Sequence, residues 1–172
     1  MMTAYDVIRA KRAIRQFNEQ PISDEVAHTI LNAGRLAQSS KNLQERAFIA
    51  IRDRETLKAL STCGEWAGHL AGAAMGVAIL TPDPAIKFQL MFDAGQSAAY
   101  MQLAAWELGV GSCLASIYDG EKARGILNFP VEWHLRIAIS FGYPTAEALA
   151  ERPARPEGRK EFDEMVKWDS WS

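Results

Sequence analysis

The stretch "DAGQSAAYMQLAAW", residues 93–106, forms the centre of the longest helix that the sequence predicts, which spans about residues 85–108. Seven of its fourteen residues are Ala, Gly or Ser. Because side chains this small let neighbouring elements approach the helix axis closely, we expect a central, packed helix. Gly109 follows the last predicted turn and favours a helix end there.

Shorter helices and strands alternate on both sides of this helix. Thr3 and Ser23 are the predicted N-caps of a first helix through Arg12 and of a second helix that ends near residue 37. Asp53 is the predicted N-cap of a third helix. A further short helix is predicted at 120–127, and apolar runs of strand length lie at residues 46–53, 72–81, 111–118 and 133–143.

Composition limits the class of protein. The chain has 172 residues, 48% hydrophobic and 23% charged, which fits one globular domain over residues 1–172. The net charge of -2 argues against a general polyanion binder, so no nucleic-acid partner is expected. The longest apolar run, residues 71–80, is shorter than the roughly 20 residues that span a bilayer, and no signal-peptide core precedes it. With two cysteines far apart, Cys63 and Cys113, we expect a soluble, reduced, cytoplasmic protein that does not bind membranes.

No arrangement of side chains predicts a catalytic centre made by the protein alone. The three histidines, His28, His69 and His134, lie far apart and have no partner at metal-ligand spacing. Each is interpreted as a surface or hydrogen-bonded core residue, and no metal is expected. No serine lies in a GxSxG motif, and Cys113 is interpreted as a small buried residue rather than a nucleophile. We therefore expect a cofactor to carry the chemistry, with no catalytic side chain.

The segment "KRAIRQF", residues 11–17, places three cations close together. Lys11, Arg12 and Arg15 repel one another unless a negative group lies near them. Arginine side chains bind phosphate oxygens in a bidentate geometry. Because the chain as a whole is slightly acidic, the cluster indicates a small anionic ligand.

Two other segments offer complementary groups. The loop "QSSKN", residues 38–42, carries Ser39, Ser40 and Asn42, whose hydroxyl and amide groups suit a polyol or further phosphate oxygens. Arg159 adds positive charge near the C-terminus. A ligand with a phosphate, a hydroxylated linker and a delocalised ring would use all of these groups. Flavin mononucleotide (FMN) has this layout, although other nucleotides share part of it.

Four motifs in order along the chain resemble those of the nitroreductase family. They are "KRAIRQF", "LAQSSKNLQ", "LGVGSC", and "FGYP" followed by "GRKEFDEMV", and they cover nearly the whole sequence. The resemblance implies an α+β fold in which a central mixed or antiparallel sheet is flanked by helices. It also implies a homodimer that binds FMN at the subunit interface. Such a protein takes electrons from NADH or NADPH and passes them to a small-molecule acceptor such as a nitroaromatic or a quinone.

The resemblance assigns cofactor contacts to the cationic segment. Lys11 and Arg12 would meet the phosphate and ribityl end of FMN. Ala13 stands in this binding motif where the family usually has Ser, so one hydroxyl contact is missing. Arg15 would lie near N1 and the C2 carbonyl of the flavin, where a fixed cation stabilises the negative charge that reduction brings.

Two later segments match further cofactor contacts of the family. Ser39, Ser40 and Asn42 would reach the FMN that is held mainly by the other subunit. The backbone at Ser116 and Ile117 matches the stretch that passes flavin N5, where an N–H group would donate a hydrogen bond. These contacts are expectations from the resemblance alone.

The C-terminal segment, residues 144–172, is predicted to be an extended arm. Its prolines and charges suit a core poorly, yet Trp168 and Trp171 are costly to leave in water, so docking on a second subunit is expected. A disordered tail is the alternative. Arg159 matches the family's arginine that closes on the phosphate, and Arg155 is the competing candidate.

Departures from the family pattern keep other functions open. Gln38 replaces a loop proline, Glu45 and Arg46 replace Pro and Trp, and Ala13 lacks a hydroxyl. A non-catalytic protein that binds FMN or another nucleotide is therefore a second hypothesis. A specialised branch such as a reductive dehalogenase would need a cap over the flavin, and none is found. A small interaction domain that binds an acidic partner is the last alternative.

Trp66 is interpreted either as a stacking surface for a substrate or as a partly buried anchor.

Overall fold

A four-stranded antiparallel sheet forms the centre of the computed structural model, which describes residues 2–151 and 159–171. Its strands are β1 (Ala47–Ile51), β2 (Met75–Thr81), β3 (Gly111–Ser116) and β4 (His134–Gly142). They lie in the order β1-β2-β4-β3, and every neighbouring pair is antiparallel. The predicted α+β fold is confirmed, with an antiparallel rather than a mixed sheet.

Most helices begin where a side chain caps the first turn. The helices are α1 (Ala4–Ala10), α2 (Asp24–Leu36), α3 (Arg54–Leu60), α4 (Gln89–Glu107), α5 (Gly120–Leu127), α6 (Ala146–Glu151) and α7 (Phe162–Met165). Short 3-10 turns lie at Ser40–Asn42, Ser61–Cys63 and Gly68–Leu70. The side chains of Thr3, Ser23 and Asp53 each accept a backbone N–H of the first turn, at 3.2, 3.3 and 2.8 Å. These three caps are as predicted, because N-capping depends on local sequence.

Two helix boundaries differ from the prediction. α1 ends before Lys11, whose backbone is extended (ψ 133°) and leads into a pairing with β3. α4 begins at Gln89 rather than Ala85. The Asp83 carboxylate accepts the Ala85 N–H at 2.9 Å and holds a turn where the first helical turn was expected.

The predicted central helix is α4, which packs with α2 against one face of the sheet. Its buried face includes Ala94, Ala98 and Met101. A Cβ atom on Gly34 of α2 would lie 2.1 Å from Met101 Cε, so the glycine allows the two helices to approach closely. Full burial of a methionine side chain stabilises the fold by about 1.5–3 kcal/mol.

The other face of the sheet packs against α3, α5 and the loop that follows α3. Its core consists mainly of leucine and alanine side chains, namely Leu57, Leu60, Leu70, Ala78, Leu80, Ala115, Leu135 and Ala138. Toward the end of this face the buried hydroxyl of Ser140 on β4 lies opposite the buried Cys113 on β3. The apolar core therefore gives way to hydrogen-bonding groups beside the outer strand.

The cationic segment covers part of the outer edge of β3. Ala13 forms a parallel bridge with Ser112, and the Ile14 N–H donates to the Ser112 carbonyl at 2.9 Å. A Cβ on Gly111 would lie 2.8 Å from the Ile14 Cβ, so glycine leaves room for this fully buried isoleucine. These contacts fix the position of the cations relative to the sheet.

Candidate functional site

The cationic segment turns its side chains to two sides. Extended backbone directs successive side chains to opposite faces, so Lys11 and Arg15 share one face while Arg12 and Ile14 share the other. The Arg12 guanidinium lies 5.2 Å from the centre of the Trp106 ring on α4. Of the three predicted cationic ligands, Lys11 and Arg15 lie on one face of the segment, whereas Arg12 points toward α4.

Lys11 is a half-buried cation. Burial lowers the pKa of its ammonium group, and the nearby Cys113 sulfur partly opposes this effect. Among the described residues Lys11 forms no salt bridge. Desolvation disfavours the charged form, whereas a negative group nearby favours it. An anion at this position would therefore offset an energetic cost that the protein otherwise carries.

The end of β3 presents backbone groups to the same edge as these cations. The Ser112 carbonyl faces outward, where it accepts the Ile14 N–H, whereas the Ile117 N–H faces inward and donates to the Arg136 carbonyl at 2.9 Å. Since consecutive strand residues point to opposite edges, the Ser116 N–H faces outward. Of the two residues predicted to supply an N–H group, Ile117 uses its own within the sheet and Ser116 remains the candidate.

The loop after α3 closes this end of the strand. The Cys63 carbonyl accepts the Tyr118 N–H at 2.9 Å. A Cβ atom on Gly64 would lie 2.0 Å from the Ser116 carbonyl oxygen, so the loop backbone passes directly against β3. In the same loop Trp66 is 72% exposed, so its ring is accessible, and both interpretations of Trp66, a stacking surface for a substrate or a partly buried anchor, stay open.

A hydrogen-bond relay joins His69 of this loop to the sheet. Its Nδ1 lies 2.8 Å from Ser140 Oγ, and the Ser140 hydroxyl donates to the Cys113 carbonyl at 3.4 Å. Its Nε2 is buried and has no hydrogen-bond partner among the described residues. Burial lowers the pKa of His69; the adjacent Leu114 backbone raises it, and the positive charge of Arg15 lowers it. The charge of Arg15 therefore acts on His69 and disfavours its protonated form.

Ser39 and Ser40 lie in a second region, at the start of α4. They line a cavity of about 440 Å³ together with Gln38 of the same loop. The other walls come from α4 and the residue before it, namely Phe88, Gln89, Phe92, Asp93 and Gln96. Lys11 and Arg15 do not line this cavity. Within one chain the two predicted groups of ligands therefore occupy separate regions.

The loop from Ser39 to Asn42 is held in a defined shape. The Ser40 N–H donates to both carboxylate oxygens of the buried Asp93, at 3.2 and 3.1 Å. Lys41 and Asn42 have φ values of 50° and 56°, in the left-handed region that costs most residues energy. Asp93 therefore stabilises the loop conformation that presents the predicted ligands Ser39, Ser40 and Asn42.

The described part of the C-terminal arm is exposed. Arg159 is accessible to solvent, and Trp168 and Trp171 are 75% and 86% exposed. Arg155, the competing phosphate ligand, lies outside the described residues. The arm thus presents apolar rings for which the protomer provides little cover, and its docking on a second subunit stays a prediction.

Sequence reasoning missed two residues of these regions. His69 was interpreted as a surface or hydrogen-bonded core histidine, and its hydrogen bond to Ser140 agrees with this, but its place beside the outer strand was not foreseen. Asp93 was treated only as part of a packed helix. Their partners, Ser140 and Ser40, are 71 and 53 positions away in the chain, so no local spacing signalled either contact.

The site at the outer edge of β3 fits a ligand with an anionic group and a polar planar ring. It provides two cations, an outward backbone N–H and a buried imidazole nitrogen, from Lys11, Arg15, Ser116 and His69. Among the described residues no group of three His, Cys, Asp or Glu is placed to hold a metal ion. Nor does any described helix have the length and apolarity to cross a membrane.

A model of the nitroreductase family matches residues 8–65 and 64–143, which is most of the chain. The chain belongs to the nitroreductase family. The resemblance drawn from the four motifs is thereby confirmed, and this nitroreductase carries its cationic segment within the first matched region.

Named relatives agree with this assignment. A protein of Archaeoglobus fulgidus that is named as an NADH dehydrogenase/NAD(P)H nitroreductase is 31% identical over 148 residues. The match covers 82% of this chain and 85% of the relative's chain. An NADPH-flavin oxidoreductase of Vibrio harveyi is 30% identical and covers 84% of this chain and 67% of its own. An FMN-dependent nitroreductase structure from Clostridium difficile R20291 superposes with a TM-score of 0.86 at 28% identity, covering 96% and 98% of the two chains.

Proposed function

We propose that this member of the nitroreductase family is an FMN-dependent oxidoreductase that uses NADH or NADPH to reduce a small acceptor such as a nitroaromatic or a quinone. The observation that carries the proposal is that Lys11 and Arg15 lie on one face of the segment that runs along the outer edge of β3. The Ser116 N–H points out of the sheet at the same edge. The named flavin- and FMN-dependent relatives support it. FMN, when bound, accepts a hydride at N5 and passes the electrons to the acceptor.

The residues of the chain bind the cofactor and tune its charge. Lys11 holds the phosphate, since a half-buried ammonium group gains from a dianion. Arg15 stabilises negative charge on the reduced ring. Ser116 orients the ring through its N–H group. Arg12 stacks on Trp106 and so fixes the segment, on the side away from Lys11 and Arg15.

The proposal includes a homodimer with FMN at the subunit interface. Exposed aromatic rings on and beside α4 support it, with Phe88 and Phe92 each 69% exposed. They border the cavity lined by Ser39 and Ser40, and these serines, with Asn42, would contact FMN held mainly by the other subunit.

Deletion of residues 157–172 tests this assembly. The exposed tryptophans of the arm would lose their place on the partner subunit, so the dimer should weaken and release flavin together. Sedimentation velocity with simultaneous detection of protein and flavin absorbance measures both effects. A truncated protein that stays dimeric and yellow contradicts the docking arm.

The visible spectrum of the purified protein, followed by NADH or NADPH under anaerobic conditions, tests the function directly. A yellow protein that bleaches on addition of the nucleotide is expected. A yellow protein that does not bleach would instead support a non-catalytic FMN-binding protein. A colourless protein that does not take up FMN would remove the family's chemistry from this chain.

A further inference from the structure

Two residues that depart from the family pattern, Glu45 and Arg46, hold the loop that follows α2, residues 38–44. The Arg46 guanidinium donates hydrogen bonds to the carbonyl oxygens of Arg35 and Gln38, at 3.4 Å each, and to that of Ala37. The last carbonyl groups of a helix have no partner within the helix and carry partial negative charge. A guanidinium group has five N–H donors and serves several carbonyls at once, whereas the tryptophan usual at this position has one side-chain N–H.

Glu45 connects the same loop to the start of α4. Its carboxylate accepts hydrogen bonds from Lys87 Nζ at 2.8 and 3.2 Å. The Glu45 side chain is 29% exposed and that of Lys87 49%, so the ion pair is partly shielded from solvent. This pair and Asp93, which accepts the Ser40 N–H, hold the loop on the α4 side, and Arg46 holds it on the α2 side.

The 38–44 loop needs this support because its own backbone is strained. Lys41, Asn42 and Gln44 have φ values of 50°, 56° and 55°, in the left-handed region that costs most residues other than glycine energy. Such a conformation persists only when the surrounding structure enforces it. Contacts from outside the loop therefore determine the shape in which it meets a ligand.

Hydrogen bonds from Arg46 also determine where the Ser39 hydroxyl lies. The Arg46 guanidinium holds the carbonyl of Gln38, the residue before Ser39. The backbone N–H of Arg46 donates to the Gln44 carbonyl at 2.7 Å, and the Gln44 N–H donates to Ser39 Oγ at 2.9 Å. A serine hydroxyl that accepts one hydrogen bond can still donate its hydrogen. The loop thus presents Ser39 as a donor to a ligand oxygen.

We propose that Arg46 is a positioning residue that sets the Ser39 hydroxyl for donation to an oxygen atom of the FMN held by the other subunit. The inference rests on the proposed function and deepens it. Arg46 acts through Ser39, because it keeps the loop in its binding conformation before FMN arrives and so removes an ordering cost from binding. The replacement of the usual tryptophan by arginine then preserves the cofactor site.

A double-mutant cycle on FMN affinity tests this coupling. Dissociation constants are measured by flavin fluorescence for the wild type, Arg46→Ala, Ser39→Ala and the double variant, with circular dichroism to verify that each is folded. Arg46→Ala should weaken binding about tenfold, as expected if the loop then keeps its binding conformation about a tenth of the time. In the Ser39→Ala background the same substitution should weaken binding about threefold or less, because the contact that Arg46 positions is already lost.

Arg54→Ala is the matched control. Arg54 is an exposed arginine at the start of α3, and its side chain pairs with Glu19. Its replacement should change FMN affinity by less than about twofold in either background.

Two results would overturn the inference alone. One is equal FMN affinity of Arg46→Ala and the wild type. The other is a tenfold loss in both backgrounds, because Arg46 then acts independently of Ser39. A wild-type protein that does not bind FMN overturns the proposed function along with the inference, so the two failures are distinguishable.

A measurement on the wild-type protein covers the case in which Arg46→Ala does not fold. Amide hydrogen exchange, followed by NMR on the ¹⁵N-labelled flavin-free protein, reports whether the 38–44 loop is ordered before FMN binds. The Gln44 N–H, which donates to Ser39, should exchange at least about tenfold more slowly than in an unfolded chain. Exchange at the rate of an unfolded chain overturns the proposal, because the loop is then not held in advance.

Discussion

Replacement of Gly64 by alanine tests whether the loop after α3 and the end of β3 form one rigid wall of the site. The added Cβ would lie 2.0 Å from the Ser116 carbonyl oxygen, whereas real Cβ atoms essentially never come within 3.0 Å of another heavy atom. The loop and the strand must therefore move apart by at least about 1 Å. Gly64 has φ −157° and ψ 143°, an extended conformation open to any residue, so the cost is steric. Neither side yields easily, because Cys63 accepts N–H groups from Tyr118 and Asp119.

The expected magnitude follows from overpacking. Forcing a methyl group into a filled site costs typically about 1–3 kcal/mol. For a chain of this length that corresponds to a fall in Tm of roughly 2–12 °C. FMN affinity should fall about tenfold in addition, because a shift of the Ser116 carbonyl also moves the N–H proposed to face the flavin.

Urea unfolding followed by circular dichroism, and flavin titration by fluorescence, measure the two effects at one fixed protein concentration. Gly68→Ala is the matched control, since it lies in the same loop and a Cβ there meets no atom within 4 Å. It should change stability by less than about 0.5 kcal/mol. Equal stability of Gly64→Ala and Gly68→Ala would refute the packing argument. A destabilised Gly64→Ala with unchanged FMN affinity would instead remove Ser116 from the cofactor site.

Three further substitutions test the electrostatics of the site. Lys11→Met removes a desolvated cation, so the flavin-free protein should gain stability in urea while FMN binding weakens; a loss of stability contradicts the cost assigned to Lys11. Arg15→Ala should lower the reduction potential of bound flavin, measured by dye equilibration, whereas Arg9→Ala at an exposed site should not; equal potentials would exclude Arg15 from the ring. The pKa of His69 is lower in the folded state than the ordinary 6.5, so below about pH 6.5 the unfolded chain binds the proton more readily and stability falls with falling pH. His69→Gln should flatten this dependence in urea midpoints between about pH 5 and 7.5, and an unchanged slope would contradict it.

Local chemistry made most of the secondary structure predictable. Thr3, Ser23 and Asp53 cap helices where the sequence indicated, because each needs only a backbone N–H two or three positions further on. The early part of α4 was predicted wrongly because Asp83 competes with the helix for the same backbone groups. Asp83 favours a turn but also precedes an apolar run, so the sequence alone does not decide between a turn and a helix at residues 85–88.

The sequence predicted some of the candidate residues but not their geometry. The cluster Lys11, Arg12 and Arg15 was evident from charge alone, yet whether these residues point together depends on whether the segment is helical or extended. Pairing with Ser112, which is distant in sequence, makes it extended and so separates Arg12 from the other two. The relay from His69 to Ser140 depends on the packing of a loop on a sheet, for which no sequence period exists.

The position of β3 at the end of the sheet accounts for the construction of the site from distant segments. An edge strand leaves backbone groups available for pairing and must be protected from association with other chains. Residues 13–14 cover the first part of this edge, and Gly64 closes on Ser116 at its end. Between them lie Leu114 and the outward N–H of Ser116, and the segment that contains residues 13–14 also carries Lys11 and Arg15. Two cations beside an uncovered edge disfavour pairing with another strand and favour an anionic ligand, so the same charges that protect the edge also prepare it to bind a cofactor.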